Sequence, residues 1–330
     1  MAGLPRLCGG VPAAALSRFD MLTGTLYALA AGLLWGLVFV APVLLPDYPP
    51  ALMSAGRYLA FGLIALPLAF YDRAALRRLS RADWLYAAEL ALVGNLSYYA
   101  LLSSAIQSAG APMPSMIMGT LPVVIALLTN RRNAERDGSL HWRALAPSLI
   151  LIGGGLLLVN GAELEHARQA GAADVAEHTR GALLAVAALA CWTWYPIRNA
   201  DWLRAHPDRS PRVWATAQGV VTLPLAALAY ALWAVFLAEP EFALPAGPRP
   251  EVFVLAMLTI GLFASWLGTL FWNQASQRLP TTLVGQLIVF ETLAALAYAF
   301  VLRGQWPEPA TALGIALLVA GVLWAVRAFR

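Results

Sequence analysis

The chain has 330 residues, 60% of them hydrophobic and only 12% charged, and its mean hydropathy is +0.67. Soluble domains carry about a quarter charged residues, so this composition excludes an ordinary soluble protein and predicts an integral membrane protein. The net charge of +4 comes without a single lysine, and the places of the 22 arginines speak for membrane topology rather than nucleic-acid binding.

In chain order, low-charge apolar windows fall at residues 21–46, 49–71, 84–107, 111–130, 142–160, 181–197, 213–238, 252–277, 280–302 and 309–326. Each is near the length of about 20 residues that crosses a hydrocarbon core. The shortest, 181–197, runs into the polar stretch WYPIRN. Barrel strands would need short alternating segments, which these runs lack, so the prediction is an all-α integral membrane protein with ten transmembrane helices. The first twenty residues lack the apolar core of a signal peptide, and residues 1–20 read as a cytoplasmic tail before an uncleaved first span.

With the amino terminus inside, seventeen arginines fall on the cytoplasmic side. Four, Arg168, Arg180, Arg249 and Arg303, fall outside, and Arg57 lies within a span. This positive-inside bias puts both termini in the cytoplasm. The acidic segments 161–179 and 239–251 read as solvated outer loops. With Cys8 on the cytoplasmic side and Cys191 inside a span, no disulfide is expected. The four histidines lie in loops or at interfaces without metal-ligand spacing.

Ten spans divide into five plus five about residues 161–180. That gives a first unit at 21–160, an extracytoplasmic linker at 161–180 and a second unit at 181–330. An odd number of spans per unit turns the two halves over relative to each other, so the expected architecture is two inverted five-helix repeats around a central cavity. At an offset of 170 residues, LLSSAIQSAG (101–110) aligns with FWNQASQRLP (271–280). Ala28, Gly32 and Gly36, Gly261 and Ser265, and Ala312, Ala316 and Ala320 form small-residue faces. Such faces serve internal packing or a homodimer seam, and monomer and homodimer both stay open.

Three charges lie at membrane depth, and charges there usually face protein or a water-filled cavity. Arg57 is either a snorkelling or internally paired structural charge, or a guanidinium that takes a substrate carboxylate bidentately. Glu89 sits near the inner end of its span, as an interfacial group or a lining of the inner vestibule. Glu291, near midplane in QLIVFETLAAL, is either a proton relay or a neutral link between helices. Gln286 lies at similar depth among uncharged donors and acceptors. Pro122 marks a helix irregularity with gating or structural consequences.

Trp84, Trp142, Trp202, Trp214, Trp306 and Trp324 stand near predicted span ends and read as interfacial belts. Trp35, Trp192, Trp194, Trp266, Trp272, Tyr98, Tyr99 and Tyr195 lie deeper and are candidates to line a broad apolar cavity. Met113, Met116 and Met118 would give that cavity an adaptable wall. Nucleotide-binding loops, serine elbows and HExxH motifs are absent from the sequence, so no catalytic residue, metal or cofactor is expected. Membrane enzyme or scaffold is the reading from a different class.

The motifs GLLWGLVFVAP, GRYLAFG, YYALLSSAIQSAGAPMPSMIMGTLPVV and WNQASQRLPTTLVGQLIVFETLAALAYAF resemble the drug/metabolite transporter superfamily in its EamA-like branch, over roughly residues 22–327. The resemblance implies a bacterial inner-membrane carrier that exports aromatic and other neutral amino acids by alternating access, or metabolites and drugs more broadly. It also implies that the first four spans of each half enclose the cavity. The family arginine falls on Arg57, and the family Glu-Pro pair on Leu121 and Pro122 in one half and on Glu291 and Thr292 in the other. A further family glutamate falls on Glu135 and Gln305. Among these candidates, the expected substrate-binding set is Trp35, Arg57, Tyr98, Tyr99, Met113, Met116, Trp192, Trp194, Trp266 and Gln286.

Overall fold

The computed structural model describes residues 18–109, 112–132, 142–169, 175–304 and 306–328, and among them every regular element is helical. The first run is α1 (Arg18–Trp35), a 3-10 turn (Gly36–Phe39) and α2 (Val40–Leu44). Pro42 in α2 has no N–H to give and crowds the carbonyl four residues back, in the 3-10 turn, which is where the α pattern tightens.

α3 (Pro50–Tyr71) opens with proline at its first position, where no intrahelical donor is needed. A short α4 (Arg73–Leu76) follows. α5 (Arg81–Leu90) starts at a capping box in which Ser80 and Asp83 satisfy each other's backbone donors.

α5 continues through a π-helical turn (Ala91–Ser97) into α6 (Tyr98–Ala109). α7 (Pro112–Gly119) breaks at Thr120 before α8 (Leu121–Arg132). α9 (Trp142–Gln169), α10 (Val175–Ala205) and α11 (Pro211–Phe236) are single long helices. α12 (Pro250–Thr259) again passes through a π-helical turn (Ile260–Leu267) into α13 (Gly268–Arg278). α14 (Thr281–Leu287) and α15 (Val289–Arg303) meet at a break, and α16 (Pro309–Ala328) ends the described chain.

Six helical runs among the described residues are long and apolar enough to cross a membrane: Phe19–Leu44, Pro50–Tyr71, Arg81–Ala109, Pro211–Phe236, Pro250–Arg278 and Thr281–Leu302. Three further apolar helices, Ile117–Thr129, Trp142–Leu158 and Pro309–Ala325, are shorter. The protein is thus an all-α, multi-pass membrane protein. The segment 161–179, expected as a loop, is largely helical, because α9 and α10 both extend into it. Its Ala, Glu, Leu, Arg and Gln are good helix formers, and a helix needs apolar residues only where it meets lipid or core.

The most extensive helix pairings are α9 with α16, α3 with α11, α6 with α10, and α1 with α13. Small residues permit these close approaches. A Cβ at Gly219 in α11 would stand 2.5 Å from Ala65 of α3, and one at Gly155 in α9 would stand 2.6 Å from the Gly314 carbonyl of α16. Gly32 of α1 and Gly36 of the 3-10 turn lie against the backbone of α15 in the same way. Ala312, Ala316 and Ala320 of α16 point outward. Val301, Phe236, Phe70 and Leu157 are exposed, as lipid-facing side chains are.

Candidate functional site

A column of rings runs through the centre of the bundle. Trp192 of α10 lies between Tyr98 of α6 and Tyr195 of its own helix, stacked at 4.5 and 5.2 Å between centroids. Trp35 of α1 meets Trp192 edge-on at 5.1 Å and Trp272 of α13 at 4.9 Å. All five rings are buried.

The two π-helical turns make room for this column. Gly94, inside the first, lies so close to Tyr195 that a Cβ would stand 2.2 Å from the ring. Gly268, directly after the second, would put its Cβ 2.7 Å from the Trp35 indole nitrogen. A π turn also loosens the regular hydrogen-bond ladder. Ser54 of α3 donates its hydroxyl to the Leu96 carbonyl in the first turn, at 3.0 Å.

Beside the column stands Arg57, only 4% exposed. Its Nε donates to Ser265 Oγ in the second π turn at 2.9 Å, and its guanidinium lies over the rings of Tyr58 and Tyr99 at 4.9 and 4.7 Å. These ring faces stabilise a desolvated cation. Its Nη1 is buried with no hydrogen-bond partner. The hydroxyl of Tyr98 and the indole N–H groups of Trp266 and Trp272 are likewise buried and unpartnered. Buried polar groups are nearly always satisfied, so this concentration of free donors marks a place where a polar guest would be welcome.

Glu291 is 6% exposed and lines a cavity of about 280 Å³ of empty space with Phe39, Met118, Leu121, Pro122, Trp192, Ile288, Val289 and Thr292. The positions that the resemblance pairs across the two halves, Leu121 and Pro122 with Glu291 and Thr292, therefore face one space. A second cavity, of about 210 Å³ of empty space, lies beyond Trp272 and is lined by Pro196, Ser276 and Thr281 among others. Each is narrow enough to admit only a water or two.

Two groups of polar and ring contacts join the first half of the chain to the second. In one, Arg249 pairs with Asp47 and donates to the Leu44 carbonyl. Tyr48 there donates its hydroxyl to the Ala246 carbonyl, accepts from the Arg249 N–H, and stacks on Phe253 at 4.8 Å. In the other, Arg132 pairs with Asp201 at 2.7 Å and Arg212 pairs with Asp72. There Trp202 stacks on Trp214 at 3.5 Å and donates to Asp83 at 2.8 Å. Trp202 and Trp214 were expected in an interfacial belt, but they are buried. Their indole N–H groups are bonded to Asp83 and Asn199, and such polar tips favour an internal seat once a partner is at hand.

Of the residues singled out from sequence, Trp35, Arg57, Tyr98, Tyr99, Trp192 and Glu291 meet around the centre, with Pro122 on the same cavity as Glu291. Trp194 stands apart, under the guanidinium of Arg198 at 5.9 Å. Trp266 is half-buried with a free indole N–H. Gln286 faces α9, where it accepts a hydrogen bond from Ser148. Glu89 is exposed. The side chains of Met113 and Met116, and residues Glu135 and Gln305, lie outside the described residues.

Sequence reasoning passed over Tyr58 and Asn199. Asn199 joins Trp214, Gln218 and Asn273 in a buried network that also holds Tyr195 through Gln218. The polar stretch WYPIRN was the available signal for it.

Comparison with known proteins gives a consistent set of likenesses. A family model described as the EamA-like transporter family matches residues 22–160. The chain is 54% identical to the inner membrane protein YtfF of Escherichia coli (strain K12), over 93% of this chain and 96% of that one. It is 24% identical to an uncharacterised transporter of Archaeoglobus fulgidus, over 88% of this chain and 92% of that one. It is also 24% identical to the uncharacterised transporter YwfM of Bacillus subtilis (strain 168), over 91% and 92%. A solved crystal structure shares the fold with a TM-score of 0.69 at 22% identity, covering 92% of this chain and 96% of that chain.

Proposed function

Because the chain belongs to the EamA-like transporter family, we propose that it exports small metabolites across the bacterial inner membrane by alternating access, with no covalent step. It is an inner-membrane, multi-pass helical protein of a transporter family rather than an enzyme. The observation that carries the reading is Arg57: a buried cation with an unpartnered Nη1, in the middle of the bundle. A cation in that place is a ready seat for an anionic group on a guest.

The finer architecture in this reading is ten transmembrane helices in two inverted five-helix repeats, 21–160 and 181–330, joined by 161–180, with both termini cytoplasmic. Several features support it. The π-helical turns recur at Ala91–Ser97 and Ile260–Leu267, close to the offset of 170. The breaks at Thr120 and Ile288 recur in step with them. The crosswise pairings of α1 with α13 and α6 with α10 are what a pseudo-two-fold axis would produce. The family model's bounds, 22–160, support the first unit.

A narrower reading, in which the guests are aromatic amino acids, is favoured by the stacked rings of Tyr98, Trp192 and Tyr195 beside Arg57 and Glu291. A zwitterion would set its carboxylate on Arg57 and its side chain against the rings. Counterflow of labelled tryptophan in proteoliposomes tests it. Uptake driven by unlabelled tryptophan, phenylalanine and tyrosine is the expected result. Failure of all three, with transport of a sugar phosphate or a cationic drug, removes the aromatic reading and keeps the broader one.

A further inference from the structure

We propose that Glu291 is a proton-binding site that couples transport to the proton gradient, loading and unloading as the break before α15 opens its cavity to water. The inference rests on the transport reading and adds to it the identity of the coupling ion.

Glu291 is the one charged group among the described residues on the wall of its cavity. No ion pair holds its carboxyl among the described residues. The cation whose charge acts on it is Arg57, whose Nε is committed to Ser265 and whose face is shared between two tyrosine rings. The other titratable groups that interact with it are Tyr58 from α3 and Tyr98 from α6. Trp192 of α10 lines the same cavity, and its indole N–H is the hydrogen-bond donor to the carboxyl. α1, the 3-10 turn and α2 offer only Gly32, Gly36, Phe39 and apolar neighbours.

An ionised carboxylate so enclosed pays a large desolvation cost, and a proton removes it. Water admitted on one side solvates the carboxylate and lets the proton leave. The balance is one carboxylate and one proton against one carboxylic acid, with no other bond made or broken.

The geometry also supplies a moving part. Glu291 lies three residues past the break at Ile288, with its N–H bonded to the Ile288 carbonyl at 3.0 Å. Pro122, two residues past the break at Thr120, lines the same cavity. Bending at either break changes the access of water to the carboxyl. A carrier that releases this proton inward as a zwitterion leaves outward moves one net positive charge inward per cycle.

The test uses the full-length protein in lipid nanodiscs, titrated from about pH 5 to about pH 9, a range that spans documented buried glutamates. Infrared difference spectra read the protonated-carboxyl band, and tryptophan fluorescence reads the response of the ring column. The expected result is a carboxyl transition in the wild type that is lost in Glu291→Gln and kept, with a moved midpoint, in Glu291→Asp. A wild-type protein without a carboxyl transition in that range overturns the proposal, as does a transition that survives Glu291→Gln. If Glu291→Gln does not fold, Glu291→Asp decides, because an unmoved midpoint assigns the proton elsewhere.

A second arm measures net phenylalanine transport with and without an inward proton gradient. Phenylalanine that is not carried argues against the aromatic reading alone and leaves the spectroscopic result standing. Phenylalanine carried equally fast with and without the gradient overturns the coupling.

Discussion

Arg57 reaches from α3 into the π-helical turn of the other half and donates its Nε to the Ser265 hydroxyl at 2.9 Å. One nitrogen of the guanidinium is thereby spent on architecture, while Nη1 stays buried and free. The same side chain carries two roles that separate by experiment.

Arg57→Gln should weaken carboxylate-bearing substrates by about tenfold to a hundredfold in half-saturation, the worth of a hydrogen bond to a charged group at about 1.5–3 kcal/mol. Decarboxylated amines should lose far less. Competition of phenylalanine against phenethylamine in counterflow measures the difference, and equal losses would assign Arg57 to structure alone. Ser265→Ala should lower thermal stability while sparing that selectivity.

Two glycines give a packing test. Gly94→Ala would force a Cβ against the Tyr195 ring, and overpacking of this kind costs about 1–3 kcal/mol. Gly153→Ala meets nothing within 4 Å and gains about 0.5–1 kcal/mol in helix propensity. Thermal unfolding in detergent should therefore move in opposite directions for the two variants. A stable Gly94→Ala would mean that the ring column is less tightly built than its distances imply.

The latch at Asp47 and Tyr48 predicts a pH profile. The Arg249 hydrogen bond holds the Asp47 carboxyl below its ordinary value, with burial working weakly the other way. A depressed carboxylate contributes fully above its unfolded value and loses that contribution as pH falls through the folded one. The latch should hold unchanged from about pH 5 to about pH 8 and weaken only below about pH 4. Labelling of a Ser54→Cys variant by a thiol reagent added outside measures it: flat across neutral pH, faster in acid. Asp47→Asn or Tyr48→Phe in the same background should be labelled faster at every pH.

Trp35→Ala should cost about 3–5 kcal/mol and abolish transport, because it removes the ring that joins Trp192 to Trp272. Trp194→Ala loses a ring that, among the described residues, has Arg198 over its face and no ring contact with the column, so the central column should survive it. Transport assays on protein of verified fold separate the two. Loss of transport in Trp194→Ala alone would move the site toward α10's outer face.

Much of the architecture was legible in the residues. Apolar run length and the scarcity of charge are properties of single residues summed along the chain, and the membrane class follows from them without knowledge of contacts. Arg57 and Glu291 stood out for the same reason, since a charge in such a run is costly wherever it points.

Which way a side chain faces was a different matter. Trp202 and Trp214 have the positions of belt residues, yet they stack on each other inside. Gln286 has the depth of a cavity residue, yet it bonds to Ser148 of a neighbouring helix. Helical periodicity fails to predict these faces because a buried polar tip goes wherever a partner waits. The sequence by itself determined that this chain lives in a membrane and which few charges it had to shelter there. Only the tertiary structure decided which rings meet, which donors stay free, and that Arg57 and Glu291 stand beside the same column, because those depend on contacts between helices far apart in the chain.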